Sequence, residues 1–220
     1  MDDGPVARGR MSDPQFQQQQ RDGLRLPHIA AVNALVDELN DPGGRGWVPY
    51  LALAYGGVAA RVLCVLRDPG PKTNGMQGGS GFLSPENDDP TARRFAALLD
   101  SAGIPVSEIL AWNAYPWYIN DKPRAAELGA GVEPLRRLIG LLPRLRVVML
   151  HGGSARDSWR RLARRHPGLA GSLEVIATYH TSSQAFIGPP EVRAARMAAL
   201  AEAFARTARI LQKPGRPDRG

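Results

Sequence analysis

Cysteine occurs once in this 220-residue chain, as Cys64. One thiol cannot close a disulfide or hold a cysteine-ligated metal or iron–sulfur cluster within the chain. Its place in the apolar run Arg61–Leu66 predicts plain core packing. Long hydrophobic runs are missing as well. The apolar stretches are as short as Val147–Leu150, far below the ~20 residues that cross a bilayer. The first 23 residues include Asp2, Asp3 and Asp13 and lack the apolar centre of a secretion signal. These absences lead us to expect a soluble, cytoplasmic protein with no membrane partner.

Two catalytic signatures are missing too. In Gly70-Pro71-Lys72-Thr73, Pro71 stands where a phosphate loop needs glycine before its lysine, which argues against nucleotide hydrolysis. In Gly79-Ser80-Gly81 one residue separates the glycines, whereas an esterase-like α/β hydrolase would need Gly-x-Ser-x-Gly.

What is present is an ordinary globular composition, 43% hydrophobic and 22% charged, with 28 Lys and Arg against 21 acidic residues and a formal charge of +7. The basic excess suits a polyanionic partner and would equally serve solubility. Residues 1–24, with Gln17–Gln20, and Lys213–Gly220 are expected to be disordered tails. The domain between them, 25–212, alternates short apolar runs with amphipathic stretches. Strands are predicted at Arg61–Leu66, Ile109–Trp112, Arg146–Leu150 and Leu173–Thr178. Helices are predicted at Pro27–Leu39, Pro90–Ala102 with Asp89 as N-cap, Gly131–Leu142, Ser154–Arg165 and Pro189–Leu211. This is an α/β pattern: a single three-layer domain, with a central four-stranded, mostly parallel sheet and helices on both faces.

Ligands of such sheets bind beyond the carboxyl ends of the strands. Each predicted strand runs there into a polar loop: Arg67-Asp68-Pro69-Gly70-Pro71-Lys72, Asn113-Ala114-Tyr115-Pro116-Trp117, His151-Gly152-Gly153-Ser154 and His180-Thr181-Ser182-Ser183. Taken singly, each has a plain structural explanation as a turn, a cap or a packed histidine. In this order along the chain they resemble the motifs of the uracil-DNA glycosylase superfamily. Arg67–Pro71 is similar to its first active-site motif. Phe82, after Gly79-Ser80-Gly81, resembles the aromatic that stacks on a flipped base, and Asn113 the asparagine that reads it. Val147–Leu150 with His151–Ala155 is similar to the strand–glycine–alanine segment, and His180–Ser183 to the final histidine–serine motif. The resemblance spans about Val62 to Phe186.

The Pro-Gly-Pro sequence and the Tyr-Pro after Asn113 look closest to the single-strand-selective and mismatch-specific branches, which usually carry Asn where this chain has Asp68. An acid there is more like the uracil branch, whose thymine-excluding tyrosine is replaced here by Gly70. The resemblance implies a monofunctional DNA repair enzyme that hydrolyses the N-glycosidic bond of uracil or a related base, leaving an abasic site. A member that only binds damaged or single-stranded DNA is the alternative.

The chemistry assigns roles. Cleavage creates an oxocarbenium-like sugar and a departing base anion. Asp68 would stabilise the sugar or activate water, and His180 would donate to the base oxygen. The Asn113 amide complements uracil O4 and N3–H. Phe82 would stack on the extruded ring, and Gly70 would border it. Lys72, Ser182 and Ser183 would hold flanking phosphates. Gln184 is expected at the tip of a wedge loop, Ser183–Ile187, that fills the vacated stack; Phe186 is the other candidate. No metal or cofactor is called for, and a monomer bound to lesion DNA is expected.

Overall fold

Val62–Leu66 and Val147–His151 are apolar on every residue because both faces of their strands are covered. The computed structural model describes residues 8–41 and 43–213. Its strands are β1 (Tyr50–Leu51), β2 (Val62–Leu66), β3 (Phe82–Leu83), β4 (Ile109–Asn113), β5 (Val147–His151) and β6 (Glu174–Thr178). The helices are α1 (Pro14–Asp22), α2 (Ala30–Leu39), α3 (Pro90–Ala102), α4 (Ala125–Ala130), α5 (Val132–Gly140), α6 (Gly153–Arg165), α7 (Pro167–Gly171) and α8 (Pro190–Gln212).

Four strands form one sheet in the order β4-β2-β5-β6, and all its pairs are parallel. Helices α3 and α8 pack together, while α2, α4, α5 and α6 form a second group. These are the two outer layers of the three. Every residue of β4 and β5 is buried, whereas edge strand β6 alternates, as expected for parallel strands covered on both sides and for a half-covered edge. The chain leaves β2 toward β4, then returns past β2 to β5. The connections after β2 and after β5 therefore diverge, opening a crevice at the carboxyl ends of these neighbours.

Local chemistry fixes the element ends. Asp89 caps α3, its carboxylate accepting from the Thr91 and Ala92 amides at 2.8 and 3.0 Å. Pro90 stands at the first turn, and Gly103 ends the helix at φ 64°, a left-handed conformation that glycine adopts without strain. The predicted strands and five long helices are present to within a few residues.

The expected N-terminal disorder is corrected over the described part. Asp13 caps α1 through the Gln15 amide, and Phe16 and Gln20 are both buried. They lie four residues apart and so share one helix face. Gln20 Oε1 accepts from Leu53 N–H at 2.9 Å. Just before the helix, Met11 N–H donates to the Glu86 carbonyl, and Arg10 pairs with the Glu86 carboxylate at 3.2 Å. Polar composition pointed to disorder, but one apolar face suffices to dock a short helix. Phe16→Ala should accordingly lower stability by about 3 kcal/mol and the Tm by roughly 6–12 °C in thermal unfolding; a tail would leave the Tm unchanged. Residues 1–7 and 214–220, the rest of the two expected tails, lie outside the described residues.

Candidate active site

Asn113 pairs with Leu66 across β4 and β2, and His151 with Thr178 across β5 and β6; Val65 pairs with Leu150. Asn113, Leu66, His151 and Thr178 therefore form one row across the sheet. In-register residues of parallel strands share a face. Asn113 and His151 thus stand on one face, two strand spacings or roughly 10 Å apart. Above this row lies a cavity of about 520 Å³. Its wall carries Asp68, His180, Asn113, Gly70, Lys72 and the 182–184 loop, so the rigid sheet assembles groups that the sequence scatters over more than a hundred residues.

Asp68 and His180 are joined electrostatically by Arg67. The Asp68 side chain is 2% exposed and forms an ion pair with the Arg67 guanidinium. Burial raises the Asp68 pKa, and Arg67 works against the shift. His180 Nδ1 accepts the Ser182 backbone N–H at 3.0 Å. A neutral ring accepting at Nδ1 carries its proton on Nε2. Burial, then the nearby Arg67 charge, lowers the His180 pKa to about 4. At neutral pH the ring is therefore an uncharged donor through Nε2–H. Gly152 lets β5 approach it: at φ 89° a Cβ there would lie 3.4 Å from His180 Cβ.

Beside this pair the cavity wall holds polar atoms with no hydrogen-bond partner within the protein. They are Asn87 Oδ1, Asn113 Oδ1, both ring nitrogens of His151, and Thr181 Oγ1. His151 is 1% exposed. Burial, then the His180 charge, lowers its pKa to about 3. The Tyr179 backbone opposes this shift weakly without meeting hydrogen-bond geometry. Unpaired buried polar groups are costly in a finished interior; lining a cavity, they are groups for a ligand. The first residues of α6, Gly153 and Ser154, also border the cavity and present a helix N-terminus, which favours negative charge.

The sequence profile of the Uracil DNA glycosylase superfamily matches residues 53–200. The chain belongs to this superfamily. No curated protein matches it. Superfamily membership points to DNA glycosylase activity, and the family acts on DNA.

Four of the glycosylase motifs meet at the cavity, but Phe82 does not. It is 1% exposed, its ring centroid lies 6.1 Å from that of Tyr50, and it is absent from the cavity wall. The parallel pairing of β3 with β1 turns Phe82 into the core. The wall is supplied instead by Leu83, Ser84, Pro85 and Asn87, and its aromatic rings by Tyr55 and Phe95. The stacking role expected of Phe82 passes to these groups.

At the rim, Lys72, Ser183 and Gln184 are exposed and Ser182 is half-buried. The loop they approach is stapled twice. Arg94 donates to the Thr181 carbonyl, and Arg196 donates to the carbonyls of Ala185 and Ile187 at 3.0 and 3.1 Å. Phe186 lies under the Arg94 guanidinium, 4.7 Å from the ring centroid, and packs against the core. That removes Phe186 from the wedge role. Ile187 is 72% exposed. The glycosylase residues that sequence reasoning did not assign are Arg67, Asn87, His151 and Thr181. Arg67 and His151 stood in the strand-end loops and could have been found there. Asn87 and Thr181 carried no signal.

Proposed function

We propose that this protein is a monofunctional DNA glycosylase that hydrolyses the N-glycosidic bond of uracil or a related base, flipped out of DNA into the cavity. One observation carries the reading. A buried carboxylate, Asp68, and a neutral histidine donor, His180, share a wall with the unpaired amide oxygen of Asn113. Asn113 Oδ1 accepts N3–H of the base, and its amide N–H donates to O4; cytosine presents the opposite pattern. As the C1′–N1 bond breaks, its electron pair goes to the base. The charge gathers on the base oxygen, where His180 Nε2–H donates. Asp68 takes a proton from water, whose oxygen bonds to C1′. The products are the free base and an abasic site.

Lys72 and the serines of the 182–183 turn hold phosphates flanking the flipped nucleotide. Gln184 and Ile187 project from a loop that Arg94 and Arg196 hold in shape. They fill the vacated stack in place of the extruded base. Purified protein should release base from oligonucleotides carrying a single uracil, leaving sites that break only after alkali. Borohydride should trap no covalent adduct, because water and not an amine attacks the sugar. Strand breaks without alkali, or a trapped adduct, would refute the monofunctional reading. DNA binding without release on any lesion would leave a binding protein.

A further inference from the structure

The cavity holds more hydrogen-bond acceptors than uracil can satisfy. Uracil in DNA offers one donor, N3–H, and two carbonyl acceptors. With Asn113 Oδ1 taking N3–H, the acceptors that remain are Asn87 Oδ1 and one nitrogen of His151. Asn87 cannot turn its amide to escape, because its Nδ2 already donates to the Phe82 carbonyl at 2.9 Å. His151 is held between two rings, with centroids 6.1 Å from Phe95 and 5.9 Å from Phe204. A neutral imidazole has one donor and one acceptor, and low pKa keeps the ring neutral at physiological pH. The Thr181 hydroxyl supplies one further donor, so at least one acceptor still faces the ligand unfilled. The wall is also open for a larger ring or a ring substituent. Gly70 has an ordinary φ of −78° and nothing within 4 Å of where a Cβ would stand.

Resting on the glycosylase reading, we infer that His151, with Asn87, is a specificity-determining residue that selects a base bearing one hydrogen-bond donor more than uracil. The extra donor is an exocyclic hydroxyl or a second ring N–H. A site with buried groups built for a hydrogen bond discriminates strongly against an analogue lacking it, since those groups are then left unpaired.

Two pairs of bases isolate that donor. 5-Hydroxymethyluracil differs from thymine by the hydroxyl, and xanthine differs from hypoxanthine by an added carbonyl and N3–H. Single-turnover release should be at least tenfold faster for the donor-bearing member of one pair, and which pair responds identifies the donor. His151→Phe keeps an aromatic ring between Phe95 and Phe204. It should bring that ratio within about threefold of unity while leaving uracil release nearly unchanged. Equal rates within both pairs for the unaltered protein would overturn the inference, and this comparison needs no variant to fold. So would a ratio that survives in a His151→Phe protein of normal melting behaviour. In either case continued uracil release would leave the glycosylase reading standing. Release of none of the five bases would overturn that reading and the inference together.

Discussion

Asp68→Asn should lower the single-turnover rate of base release by roughly a hundredfold or more while changing lesion-DNA affinity little. The substitution preserves shape and removes the charge. In a wall this poorly hydrated, a fixed carboxylate acts on a developing sugar cation far more strongly than it would in water. The neutral amide also cannot take the proton from attacking water. Arg67 is 39% exposed, so solvent accommodates its freed charge and the variant should fold. Removing a buried charge should even leave the Tm unchanged or slightly higher, because burial already disfavours the ionised form of Asp68. The decisive measurement is a quenched-flow or gel time course with enzyme in excess over a single-lesion duplex. A rate within fivefold of the unaltered protein would reduce Asp68 to the partner of a structural ion pair.

His180→Ala should cost a comparable factor, about 10² to 10³, the usual loss for one donor aimed at a developing oxyanion. The pH behaviour separates this role from that of a charged histidine. With a folded pKa of about 4 against about 6.5 in an unfolded chain, His180 stays neutral from alkaline pH down to about 5. The rate should therefore show no inflection near 6.5 attributable to this ring. In ¹⁵N spectra the ring should report the Nε2–H tautomer throughout that range. Stability carries the opposite side of the same linkage. The histidine pKa values are depressed by folding, so below 6.5 the unfolded chain takes protons that folded His180 and His151 refuse. Each then withdraws up to about 1.4 kcal/mol per pH unit as pH falls toward 4. The raised pKa values of Asp68 and Glu86 offset part of this in the carboxylate range, since there the folded form binds protons more readily. A His180 midpoint near 6.5 would remove the neutral-donor mechanism.

Elements that declare themselves locally were legible from sequence. β2 and β5 are unbroken apolar runs, and α3 carries its own cap, its proline and its terminal glycine within fourteen residues. Convergence of Asp68, Asn113 and His180 followed from the rule that parallel sheets gather their strand-end loops at one edge. What failed depended on partners distant in sequence. A two-residue strand such as β3 has no visible period, so the inward turn of Phe82 could be known only from its pairing with β1. His151 is an ordinary strand-end histidine until β5 is set in register with β6 and two strand spacings from Asn113. Only then do its burial and its unpaired nitrogens acquire meaning. The polar string around Gln17–Gln20 concealed α1, because the residues that receive Gln20 and Met11 lie near positions 53 and 86.

That last pairing has a consequence for the order in which the molecule can be born. Ribosomes deliver a chain from its amino end, so α1 emerges long before the segments that hold it. Nine residues are too few for a helix to persist alone in water. The Leu53 amide must appear before Gln20 can engage, and the Glu86 carbonyl before Met11 can. The segment first out of the exit tunnel is thus among the later pieces to settle. When it docks, it clamps the stretch from Phe82 to Asn87 from behind, and with it the floor of the cavity. A nascent chain halted before residue 86 would hold β2 and its loop without this brace. Completing the base-binding wall therefore waits on a contact between the beginning of translation and a point well into its course.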